Sequence, residues 1–313
     1  MVPAIGCQTR PTRWRYPRGF ALILAALICL AAAPAGPDIH IEDVTRFYAV
    51  YDAAGGHPTA EQLQNDYVDP GSDGLHQFFA ARNTTAARIA DAIAKRPEIF
   101  SDARRCMAVL PKVRQRLVVS LHKLGELYPE AVFPPVTIAV GRGRPVGISG
   151  PGMGVQIGLE ALCATAYLNP DVEDRFVHVI AHEYVHAQQS PVLANNEHPT
   201  VLERSLVEGA AEFVGELTSG QVAYSVFGAS TKGHELAIET AFAADEDKTD
   251  LSAWLDNGTA TAPGDLGYWV GYRICKAYYE QAPDKRRAIR DIIQMTDAKA
   301  FLAKSGWRPG IQL

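Results

Sequence analysis

The sequence predicts a mostly helical protein with a small β-sheet, an α+β class of fold. Apolar residues recur at helical spacing over residues 40–130 and again after residue 221, as expected for helices that bury one face. Residues 136–140 and 155–159 are short apolar or alternating segments that predict two strands. Hydrophobic residues make up 47% of the chain and charged residues 21%, which is typical of a globular protein.

The first 35 residues predict a secretory signal peptide rather than part of the fold. Four arginines between residues 10 and 18 precede an apolar stretch at 20–33, and small residues at 31–35 offer a cleavage site. The apolar stretch is too short to span a bilayer. We therefore expect an exported protein, periplasmic or secreted, with no stable membrane span after cleavage. An uncleaved N-terminal anchor is the alternative.

The remaining chain is predicted to form one compact unit over residues 36–313, in three parts. These are an N-terminal helical part (36–130), a central part that contains the candidate site (131–220) and a C-terminal helical part (221–313). The net charge of −5 and the lack of a basic run argue against a nucleic-acid partner. An oxidising compartment permits one disulfide, and the sequence leaves the pairing open among Cys106, Cys163 and Cys275.

The central part contains the H-E-x-x-H pattern, with His182, Glu183 and His186 inside the segment HVIAHEYVHAQQS. Positions i and i+4 of a helix lie on the same face, so both imidazoles can bind one metal ion. Glu183 then lies beside the metal and can act as the general base toward a metal-activated water. Pro170 is predicted to occupy the first position of this helix.

A catalytic zinc site needs a third protein ligand. Gln189 and Val192 occupy the positions at which a metzincin requires Gly and His, which excludes that class. Further along, 21 residues separate His186 from Glu208, which opens the segment E-G-A-A-E that ends at Glu212.

In these residues the chain resembles the gluzincin zinc metallopeptidases and the families of predicted zinc-dependent proteases with an E-G-x-A segment. The resemblance implies a zincin-like domain, Zn²⁺ held by His182, His186 and Glu208, and a peptide or protein substrate. It also implies that Glu212 orients a ligand imidazole by a hydrogen bond. Residues 154–160 are implied to be the sheet edge that pairs with extended peptide.

Three further expectations concern neighbouring residues. The small residues 209–211 should let their helix approach the histidine helix closely. Glu203 is a rival ligand, separated from His186 by 16 residues, but no small residues follow it. His178 lies about 12 Å along the helix axis from His186, too far to share an ion with it, and we expect it to be partly exposed at the cleft edge.

Residues 267–272 read G-Y-W-V-G-Y, which is similar to a helix that recurs near the end of these predicted proteases. Peptide hydrolysis needs a hydrogen-bond donor for the oxyanion. Tyr268 and Tyr272 are the candidates for this catalytic role, with aromatic core packing as the alternative for each.

The sequence therefore predicts an exported zinc metallopeptidase with Glu183 as general base. One alternative is a catalytically inactive zinc-binding module on a peptidase fold. Another is a helical protein in which the histidines are incidental and the row of Glu208, Glu212 and Glu216 is a solvated helix face.

Overall fold

Helices make up most of the protein in the computed structural model, which describes residues 37–258 and 264–313. The predicted signal peptide lies outside the described residues. The described residues belong to one compact unit. The helices are α1 (Glu42–Ala53), α2 (Ala60–Leu63), α3 (Asp73–Ala81), α4 (Ala86–Lys95), α5 (Pro97–Ala103), α6 (Leu110–Leu127), α7 (Leu159–Ala164), α8 (Val172–His186), α9 (Pro191–Ala194), α10 (Val201–Ser219), α11 (Phe227–Ser230), α12 (Glu235–Asp245), α13 (Leu266–Gln281), α14 (Lys285–Ile293) and α15 (Ala298–Lys304).

The sheet is small and mixed, which confirms the predicted α+β class. Its strands are β1 (Ile39–His40), β2 (Val136–Ala139), β3 (Gly147–Ile148) and β4 (Val155–Gly158). The strand order is β1-β2-β4-β3. The β1–β2 and β2–β4 pairs are parallel, whereas β3 runs antiparallel to β4. The two predicted strands are present as β2 and β4, and both are fully buried.

The prediction that residues 154–160 form the edge of the sheet is wrong. Strand β4 pairs with β2 on one side and with β3 on the other, so β3 is the edge. Strand β3 lies inside a Gly- and Pro-rich stretch, residues 141–154, between the two predicted strands. Two residues, one of them Gly147, are too few to produce an alternating pattern, and only the pairing with β4 defines this strand.

The helical pattern predicted over residues 40–130 is interrupted between α5 and α6. Helix α5 ends at Ala103, a 3₁₀ segment follows at Arg104–Val109, and α6 then begins. Pro111 lies in the first turn of α6, where its missing N–H is tolerated. The 3₁₀ segment is tied to α7 by the disulfide Cys106–Cys163, and Cys275 is a buried free thiol. Closing this 57-residue separation stabilises the fold by about 4 kcal/mol in the chain-entropy description.

Helices α8 and α10 both begin at well-formed caps. The Asp171 side chain accepts a hydrogen bond from the Asp174 N–H at the start of α8, so Pro170 precedes the cap and the prediction that it opens the helix is wrong. Helix α10 begins at a capping box in which Thr200 and Glu203 bond each other's backbone N–H. Within residues 37–258 and 264–313, none of the helices has both the length and the hydropathy of a transmembrane span.

Candidate metal centre

Three side chains from two helices converge on one point in the cleft between α8, α10 and β3. The Nε2 atoms of His182 and His186 are 3.0 Å apart. The Oε2 atom of Glu208 lies 3.4 Å from the first and 3.1 Å from the second. All three residues are buried, with 3% to 8% of their surface exposed. The structure thus brings together the two histidines of one helix and the glutamate of another.

The outer nitrogens of both imidazoles face oxygen atoms. Nδ1 of His186 lies 2.8 Å from Oε1 of Gln189, whose amide nitrogen donates to the Val207 carbonyl. Nδ1 of His182 lies 2.9 Å from Oε1 of Glu212, close but not aligned as a hydrogen bond. Oxygen acceptors at these positions favour the tautomers with the proton on Nδ1.

These tautomers leave three lone pairs pointing at one another. If both rings are neutral with the proton on Nδ1, both Nε2 atoms and the Glu208 oxygen are acceptors with no donor between them. A proton relieves this conflict in the metal-free protein. Burial by itself lowers the pKa of His182, but its contacts with Glu208 and Glu212 outweigh burial and raise the pKa to about 10. A cation at the centre would satisfy all three groups at once.

The spacing of the three atoms fits zinc. A tetrahedral ion with bonds of about 2.1 Å separates its ligand atoms by about 3.4 Å. The observed separations are 3.0, 3.1 and 3.4 Å. Two imidazoles and one carboxylate are also a donor set found in catalytic zinc sites, which leave one coordination position open. His182, His186 and Glu208 therefore form a group that can hold a metal ion.

Glu208 is held by a second interaction that the sequence analysis did not include. Nη2 of Arg204 lies 2.8 Å from its Oε1 atom, so one oxygen is paired with Arg204 and the other faces the imidazoles. Burial raises the pKa of the Glu208 carboxyl, but the charges of Arg204 and His186 outweigh burial and hold that pKa well below its usual range. The carboxylate is therefore ionised and oriented before a metal binds.

Glu183 faces the cleft from α8, next to the metal-binding group. Its carboxylate packs against Gly147 of β3 so closely that a Cβ on residue 147 would lie 2.9 Å from the Glu183 Cδ atom. Burial raises the pKa of Glu183, and the two neighbouring imidazoles lower it in part. A carboxylate with a raised pKa is a better proton acceptor than an exposed one.

The two candidate tyrosines occupy different environments. The Tyr268 ring stacks on His182 at a centroid distance of 6.2 Å, and it lines the cleft. Burial, followed by the charge of Glu208, raises its pKa well above the usual value, so its hydroxyl stays protonated and can donate. The Tyr272 hydroxyl instead donates to Glu216 at 2.7 Å, away from the residues that line the cleft. The structure does not bring Tyr272 to the site.

The expectation about His178 is wrong, and the expectation about the small residues 209–211 is wrong for Gly209. His178 is buried, with 2% of its surface exposed, and its Nδ1 lies 2.8 Å from the Ser219 hydroxyl. It is a packed residue between α8 and the end of α10. Gly209 approaches the backbone of α13 at Gly271 rather than the histidine helix, whereas Gly215 is the glycine of α10 that packs against His182.

The positions of Glu203 and of the row of glutamates on α10 decide two alternatives that the sequence left open. Glu203 closes the capping box of α10 and accepts from the Thr200 N–H at 2.8 Å, outside the metal-binding group. Glu208 and Glu212 are buried, so the row along α10 is not a solvated face.

Sequence reasoning missed Gln189, Arg204 and Gly147 as parts of the site. Arg204 precedes Glu208 by four residues, and this i, i+4 spacing on a helix was a usable signal. Gln189 follows His186 by three residues, which also brings the two side chains together. Gly147 had no such signal, because its contact with Glu183 depends on the pairing of β3 with β4.

Comparison with known proteins adds a family-level similarity. Residues 154–302 match the model of a family described as predicted Zn-dependent protease (DUF2268). The matched segment includes all of α8, α10 and α13, and therefore every residue of the metal-binding group. The comparison with curated proteins found no match, and neither did the comparison with solved structures. This part of the chain is thus similar to predicted zinc-dependent proteases.

Proposed function

We propose that the protein is a zinc metallopeptidase that hydrolyses peptide bonds, with zinc held by His182, His186 and Glu208. The observation that carries the proposal is the convergence of two Nε2 atoms and one carboxylate oxygen, all buried and within 3.4 Å of one another. Three such groups cannot be buried against one another without a proton or a metal cation between them. The family similarity of residues 154–302 supports the same chemistry.

When bound, zinc would act as a Lewis acid that lowers the pKa of water and polarises a carbonyl. Glu183 accepts the proton of the attacking water and then delivers it to the leaving amine. Its raised pKa suits both steps, because a carboxyl must release the proton as readily as it takes it. The Tyr268 side chain lines the cleft and its hydroxyl keeps its proton, so in this proposal it donates to the developing oxyanion.

The substrate backbone pairs with the edge strand β3 in this proposal. The cleft has a volume of about 230 Å³ and is lined by residues 145–150 on one side and by the metal-binding group on the other. An extended peptide that pairs with β3 gains main-chain hydrogen bonds that do not depend on its sequence. Because Gly147 lies directly against Glu183, such a peptide passes beside the general base.

Two finer assignments belong to the proposal. The order H-E-x-x-H followed by a glutamate ligand on the next long helix supports a zincin-like fold of gluzincin type. Export is supported by the arginines and the apolar stretch of residues 1–35. The disulfide Cys106–Cys163 is also of a kind that persists in oxidising compartments.

The test combines metal content with hydrolysis of a mixed peptide library. We expect about one zinc per chain in the wild type and in Glu183→Gln, with a loss of about 10²- to 10⁴-fold in hydrolysis for the variant. Glu203→Gln is the matched control, because Gln can still close the capping box and the residue is outside the site. It should retain wild-type activity.

Two outcomes would contradict the proposed peptidase function. Wild-type protein that binds zinc and cleaves nothing would favour the inactive zinc-binding module. Protein that binds no zinc would reject both interpretations, since the convergence of His182, His186 and Glu208 would then have another explanation.

A further inference from the structure

Five arginines cluster beside the cleft, although no two of them are adjacent in sequence. We name this cluster the arginine patch; its members are Arg82, Arg88, Arg96, Arg142 and Arg144. They come from the end of α3, from α4, from the link between α4 and α5, and from the loop that precedes β3. Four of the five are exposed and Arg142 is half-buried. In a chain of net charge −5, this is a local concentration of positive charge.

The arginine patch has no paired carboxylate at its surface. Arg96 donates to the Arg142 carbonyl at 3.1 Å, Arg142 donates to the Arg82 carbonyl at 3.4 Å, and Arg88 donates to the Asn83 carbonyl at 2.8 Å. Within residues 37–258 and 264–313, none of the five guanidiniums forms a salt bridge, whereas Arg104 and Lys95 nearby in sequence both do. The positive charges are therefore held together by carbonyl oxygens rather than by anions.

Arg142 is the arginine of the patch on which the crowding of positive charges acts most clearly. Its Nε atom is buried without a hydrogen-bond partner. Partial burial, and then the like charges of Arg144, Arg88 and Arg82, hold its pKa below the usual range. The one carboxylate beneath the loop is Glu160, fully buried, which accepts the N–H groups of Gly141 and Gly143. Burial raises the pKa of Glu160, and the charge of Arg96 lowers it only in part. Among the described residues no salt bridge joins Glu160 to the five guanidiniums, so the surface of the patch is positive.

The arginine patch is continuous with the cleft. Arg82 lines the cleft together with Glu183. Arg144 precedes Gly147 by three residues, a span of at most about 10 Å, and Gly147 packs directly on Glu183. A peptide that pairs with the edge strand β3 would therefore extend over the patch within a few residues of the bond that is cleaved.

We propose that the arginine patch binds an acidic segment of the substrate, next to the cleaved bond. The proposal rests on the proposed peptidase function and adds the substrate class. Guanidinium groups bind carboxylates with two parallel hydrogen bonds, and several of them at the mouth of a cleft also raise the association rate of an acidic ligand. A peptide is favoured over other polyanions because the patch leads into the strand edge that would pair with a peptide backbone.

The first test is hydrolysis of two matched peptides. Both contain the same sequence around the cleaved bond, taken from a peptide that the enzyme cleaves in the library, and next to it one has four Glu and the other four Gln. We expect the wild type to prefer the Glu peptide through a lower KM. In the double variant Arg88→Gln/Arg144→Gln, the Glu-to-Gln ratio of kcat/KM should fall about 5- to 20-fold at low salt, on the basis of a few-fold per exposed ion pair. In the wild type the same preference should shrink as salt is added. Arg287→Gln on α14, an exposed arginine outside the patch, should leave the ratio unchanged.

The second test measures binding without turnover. Labelled Glu and Gln peptides are titrated with the Glu183→Gln protein, with and without the two patch substitutions, and followed by fluorescence anisotropy. If the protein binds the Glu peptide more tightly than the Gln peptide, and the patch substitutions abolish this preference, the patch proposal is supported. If in addition the wild type cleaves no peptide, only the proposed peptidase function is rejected. Equal binding of both peptides overturns the patch proposal even when hydrolysis occurs. Tighter binding of anionic vesicles or RNA than of the Glu peptide would overturn it too, by assigning the patch another class of partner.

Discussion

Replacing Gly209 with alanine tests whether the packing of α10 on α13 holds Glu208 in place. A Cβ on residue 209 would lie less than 3.0 Å from three backbone atoms of Gly271 and Tyr272, a distance at which real Cβ atoms essentially never occur. Favourable carbon contacts lie at about 3.5–4.0 Å. The helices must therefore separate by on the order of 1 Å, because backbone atoms cannot rotate away as a flexible side chain can.

The expected cost follows from two opposing terms. Overpacking of this kind destabilises by about 1–3 kcal/mol and occasionally more, and a backbone-to-backbone clash belongs at the upper end. Replacing a helical glycine with alanine returns about 1 kcal/mol. We expect a net loss of about 2 kcal/mol, which lowers the melting temperature by about 3–4 °C for a protein of this size. Zinc affinity should also fall, because Glu208 adjoins residue 209 and zinc tolerates ligand shifts of only about 0.2 Å.

The assay is thermal unfolding with and without zinc, combined with competitive zinc titration. Gly215→Ala is the matched control on the same helix, because its Cβ would lie 3.4 Å from the nearest atom, an ordinary contact. It should unfold at or slightly above the wild-type temperature. If Gly209→Ala unfolds like the wild type and binds zinc equally well, the close approach of the two helices does not position the ligand and the reasoning fails.

Three further predictions concern the site itself. Zinc added to the metal-free protein at pH 8 should release about one proton per ion, measured with a pH indicator, because the pKa of His182 is raised to about 10. The contribution of that proton to the stability of the metal-free protein is complete below pH 6.5 and is lost as the pH rises through 10. The absence of proton release would contradict the assignment. Arg204→Ala should weaken zinc binding about 10- to 100-fold in competitive titration, since Oε1 of Glu208 loses its 2.8 Å partner, and unchanged affinity would show that Glu208 orients itself. Gly147→Ala should lower kcat by about 100-fold through displacement of Glu183 while zinc content stays at the wild-type level; an unchanged kcat would separate this contact from catalysis.

The parts of the site that the sequence predicts are those fixed by helix geometry. His182 and His186 share a face of α8 because four residues are about one helical turn, whatever the rest of the chain does. Glu208 comes from another helix, so no spacing rule brings it to the histidines. Its place was implied only by the resemblance to E-G-x-A segments.

What the sequence did not predict depends on contacts between distant segments. Strand β3 exists because Gly147 and Ile148 pair with β4, and neither residue has a strand-like neighbourhood in sequence. The arginine patch has the same origin: no basic run is present, and the five guanidiniums meet only after α3, α4 and the loop before β3 have packed together. A local sequence pattern describes one helix or strand at a time, whereas strand β3 and the arginine patch each depend on several elements that are distant in sequence.

The metal-binding group is a property of one helix pair and its neighbours. Each ligand and the residue that orients it lie on or next to α8 and α10: His186 with Gln189, and Glu208 with Arg204. Gly215 lies against the backbone of His182 at an ordinary contact distance, and Gly209 lets α10 approach α13 more closely than a side chain would allow. A small rotation of either helix would therefore move its own ligand atoms relative to those of the other helix and change their separations. Zinc affinity in this protein should for that reason follow the packing of α10 as closely as it follows the identity of the ligands.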